Sequence, residues 1–234
     1  MIFEFDQVES TNISALSLLD EGQRAPFLVR ARAQRSGRGR GGKAWASPPG
    51  NFYGTFVLRA QCLAGEAAQL SFVAAVALAS VLVEHGIRPQ LKWPNDVLIG
   101  GAKLSGILLE MHGPYVLIGM GVNLAYHPNM PDYPSTCLQE QGLSLSPQAL
   151  GQQLFLALNT WIAQWEAEGF MPIRAAWLAR AYGLGEPIIA HLPGDKILKG
   201  RFEGLDFDGA LLLHTQAGLS LIHAGDIFFH AAGD

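Results

Sequence analysis

Three β-like runs, Gln90 to Ile99, Lys103 to His112 and Tyr115 to Leu124, follow one another with only Gly100-Gly101 and Gly113-Pro114 between them. Connections that short can join only antiparallel neighbours, so the middle of the chain is committed to an antiparallel meander. Upstream, Ile2 to Val8 and Phe27 to Gln34 alternate apolar and polar residues as half-buried strands do, and Asn51 to Arg59 resumes the alternation with Phe52, Phe56 and Leu58. Between the first two strands, Ser10-Thr11-Asn12 precedes the periodic Ile13, Leu16 and Leu19, the pattern of a capped helix. The alanine-rich stretch Leu70 to Val83 is closed by Glu66 and Glu84. It falls short of the roughly 20 apolar residues a membrane span needs, so it is expected to be a core helix.

Tyr126 to Ser146 is rich in proline, serine and asparagine and reads as irregular, whereas Pro147 to Glu168 and Pro172 to Tyr182 carry helical spacing with proline in the first turn. From Gly183 the texture changes to short β-runs, Ile188 to Leu192, Ile197 to Leu205, Ala210 to Thr215, Leu219 to His223 and Asp226 to Phe229, divided by Gly/Asp turns. The expected class is α+β: a mixed, largely antiparallel sheet with helices over residues 1–182, then a small separate β-barrel over 183–234.

With 234 residues, 49% of them hydrophobic, the chain can bury a substantial core without staples. Cys62 and Cys137 are its only cysteines and lack any CxxC spacing, which argues against a disulfide framework or a zinc site. The acidic, alternating N-terminus has no export signal, and the expected location is the cytoplasm. The seven histidines show no metal-ligand spacing, and no Ser/His/Asp arrangement stands out. A net charge of -4 argues against wholesale nucleic-acid binding, yet Arg30, Arg32, Arg35, Arg38, Arg40 and Lys43 crowd into one segment.

That segment contains Gly37-Arg38-Gly39-Arg40-Gly41-Gly42, joining two strands. Gly37, Gly39 and Gly42 satisfy the spacing GxGxxG, but a dinucleotide fingerprint needs a helix to begin at its third glycine, and Lys43-Ala44-Trp45-Ala46-Ser47-Pro48-Pro49-Gly50 cannot form one. A flexible surface turn with incidental arginines is the plainer alternative. The chemistry favours anion binding, because glycines let backbone amides approach a ligand while Arg38 and Arg40 offer planar charged donors. Downstream, Pro94 cannot sit in a central strand, so Lys92-Trp93-Pro94-Asn95-Asp96 must bulge or end there and project Asn95 and Asp96 into a cleft. Lys103 opens a strand that is otherwise apolar on one face; alone it reads as a solvated edge charge. Asn123, in Gly119-Met120-Gly121-Val122-Asn123-Leu124, is an amide among apolar neighbours and needs a partner, ligand or backbone.

Ser10-Thr11-Asn12, Gln34 with the loop and Trp45, Lys92 to Asp96, Lys103 to Glu110 and Gly119 to Leu124, in this order, closely resemble the biotin-protein ligases over nearly the whole chain. The resemblance implies a catalytic domain like those of class II aminoacyl-tRNA synthetases and an SH3-like C-terminal domain. It implies biotin held by Ser10, Thr11, Asn12, Gln34, Gly37, Arg38, Gly39, Arg40, Lys103 and Gly106. It places ATP against Arg38, Arg40, Lys43, Trp45, Asn95 and Asn123, with Mg²⁺ accompanying the nucleotide and no side-chain metal motif. Lys103, Arg40 and Asp96 are the implied catalytic residues. The implied partner is a biotin carboxyl carrier protein or domain of a carboxylase, with neither nucleic acid nor membrane, and pairing into a homodimer is known in such a family although no edge in this sequence announces it. Lys43 stands where an arginine is usual, which loses a bidentate phosphate contact. The pattern starts almost at Met1, so no helix-turn-helix repressor domain is expected. A lipoate or octanoate ligase and a non-enzymatic biotin sensor are the competing readings.

Overall fold

The structure, a computed structural model, describes residues 1–59, 64–128 and 133–229. Cys62, part of the irregular segment after Tyr126 and the last residues of the C-terminal module lie outside them.

β1 (Ile2–Val8), α1 (Thr11–Asp20) and β2 (Phe27–Gln34) form a crossover unit, so β1 and β2 run parallel. Every other pairing in the first sheet is antiparallel. β3 (Phe52–Arg59) follows the glycine loop. After the short α2 (Ala64–Ala67) and the long α3 (Leu70–Glu84) come β4 (Gln90–Lys92), β5 (Asp96–Ile99), β6 (Ala102–His112) and β7 (Tyr115–Val122). The sheet order β1-β2-β3-β7-β6-β5-β4 brings the meander against β3 and puts the glycine loop above the centre of the sheet.

The expected single strand from Gln90 to Ile99 is instead a hairpin, with Lys92 paired to Asp96 across the turn Trp93-Pro94-Asn95. Pro94 has no N–H to give to a ladder and restricts the residue before it, so the chain reverses there. The consequence is larger than a bulge: the hairpin folds Lys92 and Asp96 onto the same end of the sheet.

α3 packs under the sheet, and its small side chains at Ala74, Ala75, Ala77 and Ala79 let it approach closely. By composition Gly65–Glu84 is long and apolar enough to cross a bilayer, but 78% of the window is buried within the fold. α4 (Pro147–Glu168) is capped by Ser146 and packs on α3, as does α5 (Phe170–Leu178). α5 begins two residues before the expected Pro172 start and ends early, because Arg180 to Tyr182 straighten and pair with Leu91, covering the β4 edge.

The C-terminal strands β8 (Pro187–His191), β9 (Ile197–Leu205), β10 (Leu211–Thr215), β11 (Gly218–Ile222) and β12 (Asp226–Phe229) form an antiparallel sheet of order β11-β10-β9-β8-β12, consistent with the SH3-like expectation. It is less separate than the sequence implied. Phe202, Leu205, Leu211 and Ile227 belong to the same apolar core as α3 and the large sheet, Phe202 meets Trp177 edge to face, and Trp93 Nε1 donates to the Gly209 carbonyl at 3.1 Å. Fully burying a side chain of this size contributes roughly 1.5 to 3 kcal/mol, so the two sheets are fastened to one another and not merely tethered.

Candidate active site

A cleft of about 370 Å³ opens over the sheet between the glycine loop, the β4–β5 hairpin, the starts of β6 and β12, and the glycines of β7. The loop is a compact structure. Gly39 N–H donates to the Lys43 carbonyl at 2.7 Å and Trp45 N–H to that of Gly37 at 2.8 Å. The turn Arg40-Gly41-Gly42 between them needs φ of 66° at Gly41 and 76° at Gly42, a left-handed backbone that side-chain-bearing residues rarely adopt. The turn directs Arg38, Arg40 and Lys43 over the cleft and folds Trp45 down onto the sheet. There the indole lies on Gly106 and Gly121; a Cβ on Gly121 would come within 2.4 Å of the ring.

One end of the cleft is polar and neutral. The Gln34 side-chain carbonyl accepts from Thr11 N–H at 2.9 Å, and its amide donates to Ser47 Oγ at 2.9 Å. Asn12 Oδ1 accepts from the Thr55 hydroxyl. Asn12 Nδ2 donates to Glu110, which also holds Arg38 at 3.1 Å. Thr11, Asn12 and Gln34 therefore sit together as the sequence implied. Ser10 and Gly37 do not line the cleft. Ser10 Oγ caps α1 by accepting from Ile13 N–H at 3.3 Å, and a Cβ on Gly37 would collide with the Trp45 carbonyl and Ser47 Oγ, so this glycine allows the loop's neck to close.

The other end is charged. Lys103 Nζ lies 2.6 Å from Asp96 Oδ1, both largely buried. The Tyr133 hydroxyl donates to Asp96 Oδ2 at 2.9 Å and is contacted by Lys92 Nζ. Burial pushes the Lys92 pKa down to about 8, against the opposing pull of Asp96, with Lys103 adding to the depression. Burial and the adjacent Asp96 carboxylate push the Tyr133 hydroxyl above its ordinary value. Arg40 and Lys43 both pair with Asp226 at the start of β12, Lys43 at 2.9 Å. Burial acts to raise the Asp226 pKa, but the Lys43 hydrogen bond and the Arg40 charge outweigh it and hold the carboxyl below its ordinary value. Asn95 lines the cleft while its amide donates to the Ile107 carbonyl at 2.7 Å. Asn123, whose partner the sequence left open, donates to the backbone carbonyls of Thr136 and Lys103.

Sequence reasoning did not select Lys92, Tyr133, Glu110 or Asp226 as site residues. Lys92 carried a signal, a lysine at an inward position of a β-run. Tyr133 stands in an aperiodic segment and Asp226 begins an ordinary exposed-looking strand, so neither could be found without the tertiary fold.

The architecture and cleft define the chain by class as a ligase catalytic domain carrying a small β module: the profile of the biotin/lipoate A/B protein ligase family matches residues 4–123, and that of the biotin protein ligase C terminal domain matches residues 183–230. The chain is 45% identical to a biotin--[acetyl-CoA-carboxylase] ligase of Paracoccus denitrificans, over 95% of this chain and 98% of that one. It is 32% identical to a bifunctional ligase/repressor of Bacillus subtilis, over 95% of this chain and 72% of that protein. Among solved structures it resembles a biotin protein ligase from Aquifex aeolicus in complex with biotin and ATP, with TM-score 0.84 at 25% identity, covering 97% of each chain. The chain belongs to the biotin protein ligase family.

Proposed function

We propose that the protein is an ATP-dependent biotin-protein ligase, which activates biotin as biotinyl-5'-AMP and transfers the acyl group to a lysine of a biotin carboxyl carrier protein. The observation that carries this reading is the polarity of the cleft: neutral donors and acceptors on Thr11, Asn12 and Gln34 at one end, the Lys103–Asp96 pair at the other, and the arginines of the loop above. The neutral end suits a urea-like ring. These groups already bond to one another, but their remaining protons and lone pairs can add hydrogen bonds to a urea-like ring and none to the dithiolane of lipoate or to an alkyl chain, which supports biotin over lipoate or octanoate.

Adenylate formation brings a carboxylate against the α-phosphate, and the transition state needs cations where charge accumulates. In this reading Lys103 acts on the carboxylate and α-phosphate, and Arg38 and Arg40 order the loop over the product. Lys43 reaches toward the triphosphate, and Trp45 and Asn95 border the base. Mg²⁺ would arrive on the triphosphate itself; among the described residues, no three His, Cys, Asp or Glu side chains gather to hold a metal. Closure of the loop keeps water from the mixed anhydride. In transfer the carrier amine must be neutral, and in this reading Asp96 takes its proton. In this reading residues 1–182 form the biotin- and ATP-binding domain, and residues 183–234 form a second domain that contributes Asp226.

Mixing the protein with biotin, ATP and Mg²⁺ tests the proposal: pyrophosphate release is the expected result, and its absence would favour a non-enzymatic biotin sensor. Calorimetric titration with biotin and with lipoate separates the two ligases, and binding of lipoate alone would refute the biotin assignment.

A further inference from the structure

Asp96 does not stand alone in the cleft. Its Oδ1 meets Lys103 at 2.6 Å, and its Oδ2 accepts from Tyr133 at 2.9 Å. An ionised carboxylate can only accept, so the single phenolic proton of Tyr133 points to Asp96 and a lone pair of its oxygen is left for Lys92, which contacts it. One carboxylate is thus connected to two lysines in different ways, directly to Lys103 and through a phenol to Lys92. We propose that Lys92 and Tyr133 are proton-relay residues, which draw off through Asp96 the proton released when the carrier lysine attacks the acyl-adenylate. The inference rests on the ligase reading above.

The two lysines are not equivalent. Lys103 is ion-paired directly with Asp96 at 2.6 Å, beside the place where its work at the carboxylate and phosphate falls. Lys92 is only 7% exposed, and among the described residues no carboxylate lies within ion-pair distance of it. Its Nζ lies 4.2 Å from the centre of the Tyr133 ring and 5.6 Å from that of Phe228. The charges facing it are Asp96 from β5, Lys103 from β6, Lys43 from the loop and Asp226 from β12. With its pKa pushed down to about 8, a sizeable fraction of Lys92 is neutral under mildly alkaline conditions, where it can accept a proton and return it to water.

The step balances without any added reactant. The amine nitrogen attacks the acyl carbon, the C–N bond forms, and the C–O bond to phosphate breaks with AMP leaving on the electron pair. The surplus proton on nitrogen goes to Asp96. Once Asp96 is protonated and Lys92 is neutral, the Tyr133 hydroxyl turns to donate to the Lys92 nitrogen; Asp96 then donates to the Tyr133 oxygen while the Tyr133 proton moves to Lys92. Asp96 ends as carboxylate, Tyr133 as phenol and Lys92 as ammonium. Tyr133 never becomes a phenolate, in keeping with the upward push on its pKa.

Single-turnover kinetics separate the relay from packing. Biotinyl-AMP is formed on the full-length protein, and its transfer to a biotin carboxyl carrier domain is followed from pH 6 to 9. In the wild type, transfer is expected to rise through an apparent pKa near 8. Tyr133→Phe is expected to slow transfer on the order of a hundredfold more than adenylate formation and to flatten that rise. Lys92→Arg preserves charge and hydrogen bonding but cannot deprotonate, so it should show the same defect if the relay operates and near-normal transfer if Lys92 only supports Tyr133. A normal pH profile in Lys92→Arg, or equal slowing of both steps in Tyr133→Phe, overturns the relay alone. Failure of the wild type to release pyrophosphate overturns the ligase reading, and the relay with it.

Discussion

Arg40, in the glycine loop, and Asp226, the first residue of β12, are 186 positions apart in the chain and form an ion pair over the cleft. Lys43 joins the same carboxylate, so a group from the C-terminal sheet occupies the cations that the reaction is expected to direct at phosphate. The pair couples loop position to the C-terminal sheet.

The Asp226 pKa is lowered in the folded protein, so the tie is present above the ordinary carboxylate range and is lost as pH falls through the depressed value. Asp226 is 40% exposed, which limits the pair to about 1 kcal/mol or less. Asp226→Asn should therefore barely move the melting temperature. It should, however, increase tryptic cleavage after Arg38 and Arg40 by about two- to fivefold at neutral pH, and the difference from wild type should vanish in strong salt. An unaltered cleavage rate would show that the pair does not restrain the loop.

Lys103→Ala removes the only cation in direct contact with Asp96 among the described residues. Loss of one charge-stabilising donor in a catalytic site costs about a hundred- to a thousandfold in rate. Pyrophosphate release from biotin and ATP should fall by that factor, while far-UV circular dichroism stays close to wild type and the denaturant midpoint falls only as far as the loss of an ion-pair partner for the largely buried Asp96 carboxylate requires. Retained release would remove Lys103 from the chemistry.

The parts of this architecture that were readable from sequence are those set by local rules. Ser10 as a helix cap, the proline in the first turn of Pro147 to Glu168, the strand at Ile2 to Val8 and the glycine turns of the meander each act within a few residues, and the folded chain carries them, although burial along Ile2–Val8 does not alternate. Lys103, Asp96, Asn12 and Gln34 were legible because their segments resemble a family. What escaped was tertiary. Pro94 announced a break but not that the break is a full reversal pairing Lys92 with Asp96. Nothing near Asp226 or Tyr133 encodes that their neighbours will be Arg40 and Lys92, because those contacts exist only once the C-terminal sheet and the segment after Tyr126 are packed. The C-terminal module was legible as a unit but its shared core with α3 and the large sheet was not, since strand periodicity shows which face is apolar but not which surface will cover it.

Gly121 makes a packing prediction. A methyl at this position would sit 2.4 Å from the Trp45 indole, closer than any real contact, and its neighbour is a rigid ring and not the end of a flexible chain. Overpacking of this kind costs about 1 to 3 kcal/mol, and the least resistant element is the exposed loop carrying Trp45, not the sheet. Gly121→Ala should leave the fold intact, displace Trp45 and weaken biotin and nucleotide binding by about tenfold or more in calorimetric titration. Undiminished binding would show that the Trp45 position is not part of the ligand site.

Trp93→Phe tests how the two sheets communicate. The indole is 2% exposed, and its N–H supplies the Gly209 carbonyl at 3.1 Å, linking the hairpin that carries Asp96 to a turn of the C-terminal sheet. Phenylalanine keeps most of the apolar surface but leaves that carbonyl without its donor in a buried place, at about 1 to 3 kcal/mol. For a protein of this size each kcal/mol lowers the melting temperature by about 2 to 4 °C, so a drop of about 2 to 12 °C is expected. Because the turn Trp93-Pro94-Asn95 fixes where Asp96 points, the transfer step should slow more than adenylate formation does. If stability falls while both steps keep their wild-type ratio, the bond serves only to hold the sheets together.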